Sequence, residues 1–334
     1  MKVLGIETSC DETAIAVVED GRKVLSTIVA SSLALHKQYG GIVPEIATRH
    51  HVEVILAVLD KALKDASSGF HDIDVIAVTQ GPGLIGSLMI GITLAKSLAM
   101  TIGKPIVTVD HILAHIFACS LDGGLPQFPF LGLVVSGGHT SLFIVYGFQK
   151  FKLLGRTRDD ALGEAYDKVA KILGLGFPGG PVIENMALQA IRRDKNMFPI
   201  TKIKHGFDFS YSGLKTAVLY YVKERDMLSS QEVNEICYSF QESALYSLIS
   251  PLKNAISEFG LKRLVVGGGV AVNRRLRELL QELGVELHLP SLRYCMDNAA
   301  MVAGLGYWVY NENGDAGFQF GPYSTFEERW SLVH

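Results

Sequence analysis

The pattern with the most chemical content in this sequence is a pair of histidines four residues apart, His111 and His115. They follow the apolar run 105–109, in a stretch with helical spacing. Residues four apart lie one above the other on a helix face, so both imidazoles can reach one divalent metal ion. The same spacing also occurs in helices whose histidines are purely structural. A metal site therefore requires a further ligand.

Asp297 is the candidate for that ligand, and it precedes an apolar helical segment that begins at Ala299. An aspartate at this place commonly caps a helix N-terminus. It can equally complete a His–His–Asp set that leaves coordination positions open for a substrate. Both roles stay open here, and the donor set suits iron(II), zinc or manganese. A zinc-protease site is disfavoured, because that motif needs glutamate directly after the first histidine and this chain has Ile112.

Two turns add further polar groups. Residues 136–140 read Ser-Gly-Gly-His-Thr, a turn that can bring backbone amides against an anion, and we expect His139 to contact the ligand. An earlier turn carries the carboxylates of Glu7, Asp11 and Glu12. These form either a solvated turn or a group that holds a metal–phosphate unit or acts as a base. Carboxylates this close would shift one another's pKa.

The elements that must position these groups recur in the chain. Residues 3–18 and 130–146 each read as strand, tight turn and strand. Each hairpin is followed later by an apolar strand, a glycine-rich turn and a helix, at 73–100 and at 264–283. Such a turn either presents N–H groups to a phosphate or is an ordinary connection. The repetition predicts two similar α/β domains facing each other across a cleft. Further helices are predicted at 160–173, 208–221 and 231–259, and a surface extension at 311–334.

Length and composition limit the class of protein. With 334 residues, 48% of them hydrophobic, the chain is long enough for two well-buried domains. Its four cysteines are scattered, which disfavours a disulfide framework or a cysteine zinc site and suggests a reducing compartment. The apolar stretches 84–94 and 299–310 are predicted to be too short to span a membrane, so a cytoplasmic location is expected.

The formal net charge is only -3, so a polyanion would have to bind a local basic patch or a partner protein. Basic residues are clustered in three short segments of the chain. They are Arg192, Arg193, Lys195, Lys202, Lys204, Arg274, Arg275 and Arg277.

Taken together and in order, several motifs resemble the TsaD family of tRNA adenosine threonylcarbamoyltransferases, formerly labelled Gcp or O-sialoglycoprotein endopeptidase. The resemblance runs from Met1 to about Gly306. The motifs are residues 7–13, 81–84, His111 with His115, 135–140, 163–168, 177–181 and 267–273. The resemblance implies a duplicated actin-like ATPase (ASKHA) fold, with two RNase H-like domains around a cleft. The expected domains are 1–110, then 111–310 with a helical insertion and a last helix (297–310) packing back toward the cleft, then an extension, 311–334.

The resemblance also implies roles for individual residues, and the chain has the family's residue type at each position. His111, His115 and Asp297 match the metal ligands. Val135, Ser136, Gly137, Gly138 and His139 match the main substrate-binding turn. Asp167, Gly180, Glu184 and Asn273 match positions that line the threonylcarbamoyl-adenylate pocket. Gly267, Gly268 and Gly269 are weaker candidates for nucleotide binding. As catalytic groups we expect Asp11 as a base and His139.

The activity implied is transfer of threonylcarbamoyl from threonylcarbamoyl-AMP to the exocyclic amine of adenosine 37 in tRNAs reading ANN codons. The implied cofactor is one divalent ion, Fe(II) by resemblance or Zn(II), with ATP or an adenylate as ligand. The implied partners are tRNA, a TsaB-like paralogue and a TsaE-like ATPase, with the donor made by a TsaC/Sua-type synthase. No membrane association is expected.

Two other functions remain open. An ATP-binding kinase or ATPase shares the same fold, but sugar kinases use carboxylates to place magnesium on the phosphates and need no histidine pair. A scaffold subunit would bind nucleotide without catalysis, and substitution of its metal ligands would then preserve the activity of the assembled complex.

Overall fold

The computed structural model describes residues 1–36, 39, 41–201, 203 and 206–325. These residues divide into two units. Unit 1 comprises Met1–Leu125 and the segment that starts at Pro290, and unit 2 comprises Pro126–Leu289. The boundary expected at residue 110 lies inside unit 1, because the chain beyond it packs against the helix that begins at Ala299. The units therefore do not follow the expected domain limits.

Unit 1 is built on a five-stranded sheet with the order β3-β2-β1-β4-β5. The first three strands form an antiparallel meander, and the last two run parallel to β1. The strands are β1 (Lys2–Glu7), β2 (Glu12–Glu19), β3 (Lys23–Ser31), β4 (Val75–Gly81) and β5 (Ile106–Asp110). The central strands are nearly continuous apolar runs, as expected where helices cover both faces of a sheet.

Five helices of the described chain belong to unit 1. They are α1 (Leu33–His36), α2 (Pro44–Asp65), α3 (Ile85–Ile102), α4 (His111–Phe117) and α10 (Ala299–Asn313). Successive side chains of β1 alternate between the faces of the sheet. Leu4 and Ile6 join the core under α2 and α3. Gly5 faces α10, where a Cβ would lie only 2.3 Å from the carbonyl oxygen of Ala299. This close approach fixes the first turn of α10 over β1.

Unit 2 repeats the topology of unit 1. Its sheet has the order β10-β9-β6-β7-β8, again with an antiparallel meander and two parallel strands. The strands are β6 (Phe130–Val135), β7 (Thr140–Val145), β8 (Phe151–Arg156), β9 (Arg263–Gly267) and β10 (Glu286–His288). The duplication predicted from the two hairpins and the two glycine-rich turns is confirmed.

The helices of unit 2 lie between β8 and β10 in the chain. They are α5 (Leu162–Ile172), α6 (Gly179–Leu188), α7 (Ser212–Lys223), α8 (Ser230–Phe259) and α9 (Arg274–Gln281). The predicted helices at 160–173, 208–221 and 231–259 are confirmed as α5, α7 and α8, within a few residues at their ends. Helix α8 starts at a capping box formed by Ser229 and Glu232 and ends at Gly260 in the left-handed conformation.

Two predictions about unit 1 need correction. Helix α3 runs beyond the expected stretch 84–94, and with a mean hydropathy of 1.6 it is long and apolar enough to cross a membrane by composition alone. Its residues Ile92, Ala95 and Ala99 belong to the core of unit 1, which accounts for part of the apolar composition. The predicted surface extension 311–334 needs refinement: α10 continues to Asn313, and residues 314–325 are exposed or half-buried except Tyr323, which is buried.

Candidate functional site

The histidine pair lies on α4, which follows directly from β5. Asp110 caps this short helix, since its Oδ1 accepts a hydrogen bond from the N–H of Leu113 at 2.9 Å. His111 and His115 are 5% and 0% exposed, and their ring centroids are 4.6 Å apart. The predicted helix-face pair is therefore confirmed, in a buried setting.

Asp297 lies beside both imidazoles. Its Oδ1 is 3.1 Å from His115 Nε2 and 3.7 Å from His111 Nε2. One ligand atom from each of the three residues lies within 4.8 Å of the others. The competing role of Asp297 as a helix cap is wrong, because Asn298 caps α10 by accepting from the N–H of Met301 at 2.9 Å. We call His111, His115 and Asp297 the His–His–Asp cluster.

The carboxylate of Glu7, at the end of β1, contacts His111 on the side of the ring away from Asp297. Its Oε2 is 3.1 Å from His111 Nδ1 and accepts a hydrogen bond from Thr79 Oγ1 at 2.6 Å. Its Oε1 accepts from the N–H of Ser9 at 2.5 Å. A carboxylate on one ring nitrogen orients a histidine whose other nitrogen binds a metal. Sequence reasoning grouped Glu7 with Asp11 and Glu12 and missed this contact, which joins distant parts of the chain.

The charges and hydrogen bonds of the cluster fit a divalent cation. Burial lowers the pKa of His111, but the carboxylates of Glu7 and Asp297 outweigh it and raise that pKa to about 9. Neither ring nitrogen of His115 makes a hydrogen bond within the described chain, although its Nε2 lies close to Asp297. A buried imidazole without a hydrogen-bond partner is costly. Coordination of a metal ion by the two Nε2 atoms and the carboxylate would satisfy the Nε2 atom of His115.

Asp11 and Glu12, the other carboxylates of the first hairpin, also lie in unit 1. Asp11 is 6% exposed, and its main-chain oxygen accepts hydrogen bonds from the N–H and Oγ of Ser32. Burial, together with the charges of Asp297 and Asp11, raises the pKa of Glu12 to about 10. Asp11 is thus buried, and Glu12 is half-buried and interacts electrostatically with Asp297, so the interpretation as a solvated turn is wrong.

In unit 2, the predicted substrate-binding turn connects β6 to β7. Ser136 N–H donates to the carbonyl of His139 at 2.8 Å, and His139 N–H donates to Ser136 Oγ at 3.1 Å. Gly137 and Gly138 are exposed, and a Cβ built on either meets nothing within 4 Å. Within the described residues, no hydrogen bond engages the N–H of either glycine. Two backbone donors therefore remain for a ligand, as an anion-binding turn requires.

Helices α5 and α6 pack around this turn. The N–H of Gly163 donates to the carbonyl of Ser136 at 3.2 Å, which brings the start of α5 against the turn. One turn further along α5, Asp167 Oδ1 accepts from the N–H of Gly179 at 2.7 Å. Burial raises the pKa of Asp167. The neighbouring Gly180 has open space where a Cβ would lie.

Helix α9 and the glycine run 267–269 complete the arrangement. Glu184 Oε1, on α6, accepts from the N–H of Arg274 at 2.7 Å. Asn273 caps α9 and also donates to Gln241 Oε1 at 3.0 Å. Gly268, at φ +95°, has the carbonyl of Val135 2.4 Å from where its Cβ would be. The predicted residues of unit 2 therefore form one connected set, which we call the glycine-turn site: 135–139, Asp167, Gly180, Glu184, 267–269 and Asn273.

The structure changes how three of these residues are understood. Glu184 and Asn273 already occupy backbone donors at the start of α9, so this helix end is not an open phosphate site. The glycine at 268 is required by the close packing against Val135 and by its positive φ. The open donors of the glycine-turn site are instead those of Gly137 and Gly138.

The predicted basic clusters are partly neutralised. Arg275 Nε and Lys195 Nζ lie 2.6 Å and 3.0 Å from the buried carboxylate of Glu242. Arg277 Nε donates to the carbonyl of Ala271 at 2.7 Å. Lys202 and Lys204 lie outside the described residues. A polyanion would therefore meet less free positive charge here than the sequence suggests.

Comparison with solved structures supports the fold. The full-length HypF structure in its phosphate- and nucleotide-bound form aligns with a TM-score of 0.61 at 14% identity, covering 94% of this chain and 56% of that one. Component A of (R)-2-hydroxyglutaryl-CoA dehydratase from Acidaminococcus fermentans gives 0.55 at 16% identity, covering 92% and 98%. The predicted duplicated actin-like ATPase fold is confirmed.

Sequence comparison gives much higher identities. A tRNA N6-adenosine threonylcarbamoyltransferase of Thermodesulfovibrio yellowstonii is 51% identical over 314 residues, 92% of this chain and 94% of the relative. One of Kosmotoga olearia is 47% identical over 317 residues, 92% and 93% of the two chains. The family model described as "TsaD: tRNA N6-adenosine threonylcarbamoyltransferase" matches residues 23–304. The resemblance seen in the motifs is confirmed, and the chain belongs to the TsaD family of tRNA N6-adenosine threonylcarbamoyltransferases.

Proposed function

We propose that this chain transfers a threonylcarbamoyl group from threonylcarbamoyl-AMP to the N6 amine of adenosine in tRNA. The observation that carries the proposal is the buried His–His–Asp cluster, backed by Glu7, in a chain 51% identical to a transferase of this name. In the reaction the N6 nitrogen forms a bond to the carbamoyl carbon. The bond from that carbon to the phosphate oxygen breaks, AMP leaves, and N6 gives a proton to a base.

The donor is a mixed anhydride and is already activated, so the enzyme must chiefly orient it and stabilise developing charge. His111, His115 and Asp297 would hold one divalent ion, Fe(II) or Zn(II). When bound, this ion supplies Lewis-acid charge to oxygens of the donor. Glu7 holds the Nδ1 of His111 in a hydrogen bond, so the Nε2 of His111 points toward Asp297.

The glycine-turn site binds the donor in this proposal. The N–H groups of Gly137 and Gly138 donate to a phosphate or carbamoyl oxygen, with His139 beside them. Asp167 and Glu184 each have one carboxylate oxygen in a backbone hydrogen bond. Their second oxygens accept hydrogen bonds from ribose or threonine hydroxyls. Asn273 and residues 267–269 lie next to the adenosine end.

For the base we propose Asp11, because an aryl amine is a poor nucleophile and this carboxylate is buried in the same unit as the His–His–Asp cluster. We further propose that a TsaB-like paralogue and a TsaE-like ATPase assemble with the chain and that a TsaC/Sua-type enzyme makes the donor. The net charge of -3 and the pairing of Lys195 and Arg275 with Glu242 support a dependence of tRNA binding on partners.

The kinase or ATPase alternative shares the fold but does not explain the His–His–Asp cluster. Magnesium prefers carboxylate and phosphate oxygens, whereas two imidazoles and one carboxylate suit Fe(II) or Zn(II). The cluster therefore favours the transferase over a kinase.

Reaction of the chain with threonylcarbamoyl-AMP, unmodified tRNA and its partners tests the proposal, with the modified nucleoside measured by mass spectrometry. We expect Gly137→Ala to fold normally and to lose about tenfold in rate, because its methyl group occupies the space of the bound anion. Gly213→Ala, on α7, is the matched control, since a Cβ there also meets open space. Absence of the modified nucleoside with the wild-type chain would contradict the proposed function, and equal rates for both variants would remove Gly137 from the site.

A further inference from the structure

Residues 314–325, which we call the C-terminal strap, run along unit 1 after α10. The strap starts at β5, where the N–H of Ile106 donates to Asp315 Oδ1 at 3.0 Å and the N–H of Ala316 donates to the Ile106 carbonyl at 2.8 Å. It continues past α3, where Lys96 Nζ donates to the Phe320 carbonyl at 2.6 Å. These contacts hold the strap along its length.

The strap ends its described course at Tyr323, which is only 3% exposed. The N–H of Tyr323 donates to the carbonyl of Gln80, and the side chain of Gln80 donates to the carbonyl of Gly321. Gly81 makes room for this approach: a Cβ at that position would lie 2.3 Å from the Tyr323 carbonyl oxygen. The backbone of the strap is thus seated directly on the end of β4.

The hydroxyl of Tyr323 donates to Asp110 Oδ2 at 2.7 Å. The other oxygen of the same carboxylate caps α4 through the N–H of Leu113. Asp110 immediately precedes His111, and α4 is only seven residues long. A single buried carboxylate therefore connects the strap to the helix that carries both histidines.

We propose that Tyr323 is a positioning residue for the metal centre. Its hydroxyl fixes the rotation of the Asp110 carboxylate, which sets the first turn of α4. This first turn of α4 then directs the Nε2 atoms of His111 and His115 toward Asp297. This inference rests on the proposed role of the His–His–Asp cluster as a metal site.

The test is metal affinity, measured with Zn(II) by chelator competition and with Co(II) by its absorption spectrum. Outer contacts of metal ligands typically contribute ten- to a hundredfold to affinity, and we expect Tyr323→Phe to lose about tenfold and to alter the Co(II) bands. Asp110→Asn keeps an oxygen for the Leu113 N–H but loses the acceptor for Tyr323. We expect a similar loss for this variant, and no further loss in the double variant.

Lys96→Met is the matched control, because it removes a strap contact without touching Asp110. We expect its metal affinity to stay within about twofold of wild type, even where its unfolding temperature falls. Wild-type affinity in both Tyr323→Phe and Asp110→Asn overturns the inference, as does an equal loss in Lys96→Met. A wild-type chain that binds neither ion overturns the metal centre itself, and with it this inference. Failure of the metal centre is thus distinguishable from failure of the positioning role of Tyr323, in which the wild-type chain still binds the ions.

Discussion

At the scale of single residues, the role of a carboxylate is decided by its neighbours. Asp297 and Asn298 are adjacent and both suit a helix cap, and the sequence left the role of Asp297 open. In the structure Asn298 caps α10, and Asp297 lies beside the two imidazoles. Glu7 was recognised as polar but not as the partner of His111, because that contact joins residues 104 positions apart.

The contact between Glu7 and His111 gives a first prediction. Glu7→Gln removes the negative charge behind Nδ1 of His111 while keeping the shape of the side chain. We expect metal affinity to fall by about ten- to a hundredfold, measured by chelator competition. Glu53→Gln on the exposed face of α2 is the control and should bind as wild type. Equal affinities for Glu7→Gln and wild type would show that Glu7 does not orient His111.

The buried Glu242 gives a prediction about pH. Its burial raises the pKa, but hydrogen bonds from Arg275 and Lys195 outweigh this, and the pKa is lowered from 4.5. A carboxyl group whose pKa is lower in the folded state stabilises the fold above its unfolded pKa. That contribution is lost as the pH falls from about 4.5 through the folded pKa.

We therefore expect Glu242→Gln to lose about 1–3 kcal/mol in free energy of unfolding at neutral pH, because its cationic partners lose a charged acceptor. The difference from wild type should shrink in acid, as measured by urea unfolding at several pH values. Glu258→Gln, at an exposed position on the same helix, should track wild type. A constant difference at all pH values would contradict the assigned charge state.

At the scale of elements, most helices and both hairpins could be predicted because periodicity and glycine turns are local signals. The exposure of most of the C-terminal strap could also be predicted, since polar and aromatic residues without periodicity are typical of a surface segment, but the burial of Tyr323 could not. Tyr323 is buried by contacts with β4 and Asp110, which lie far away in the sequence. The close approach at Gly81 also belongs to tertiary packing, although the glycine itself was noted as part of a turn.

Helix capping gives an element-scale prediction. Asn298→Ala removes the α10 cap and Ser229→Ala removes the α8 cap, and each should cost about 1 kcal/mol in free energy of unfolding. Only Asn298→Ala should weaken metal binding, because Asp297 directly precedes this cap. Calorimetry and chelator competition on both variants check the prediction. Equal metal affinities in the two variants would show that the cap does not position Asp297.

Close packing of the glycine-turn site gives a second prediction at the scale of elements. Gly268 and Gly284 both have positive φ, but only Gly268 has a backbone atom within contact distance of its missing Cβ. We expect Gly284→Ala to cost about 1 kcal/mol and Gly268→Ala about 3 kcal/mol or more, since overpacking adds to backbone strain. Chemical unfolding measures both values. Equal losses in free energy of unfolding for the two variants would mean that the turn after β9, at Gly268, can move away from Val135.

At the scale of the whole molecule, the duplication was visible in the sequence, whereas the limits of the units were not. Unit 1 is made from two separate segments, and the return of the chain at Pro290 has no local signal. The fold does not determine the reaction, because one fold can carry many unrelated activities. The likeness to HypF, at 14% identity, therefore shows the fold alone. We propose that the His–His–Asp cluster and the glycine-turn site determine the reaction.

Net charge gives a prediction for the molecule as a whole. With a formal charge of -3, the isolated chain should bind tRNA weakly, and the affinity should fall as salt rises. Adding the proposed partner proteins should strengthen binding. Fluorescence anisotropy with labelled tRNA at two salt concentrations measures both effects. Tight binding by the isolated chain that is insensitive to salt would contradict this view.

The central claim is that the His–His–Asp cluster is the metal centre of a threonylcarbamoyl transferase. The most direct test measures bound metal and tRNA modification together, in the reconstituted system, for wild type, His111→Ala, His115→Ala and Asp297→Ala. We predict that each variant keeps its fold by circular dichroism but loses both bound metal and modification of adenosine. Full modification by variants that hold no metal would contradict the claim and leave a nucleotide-binding scaffold as the better description.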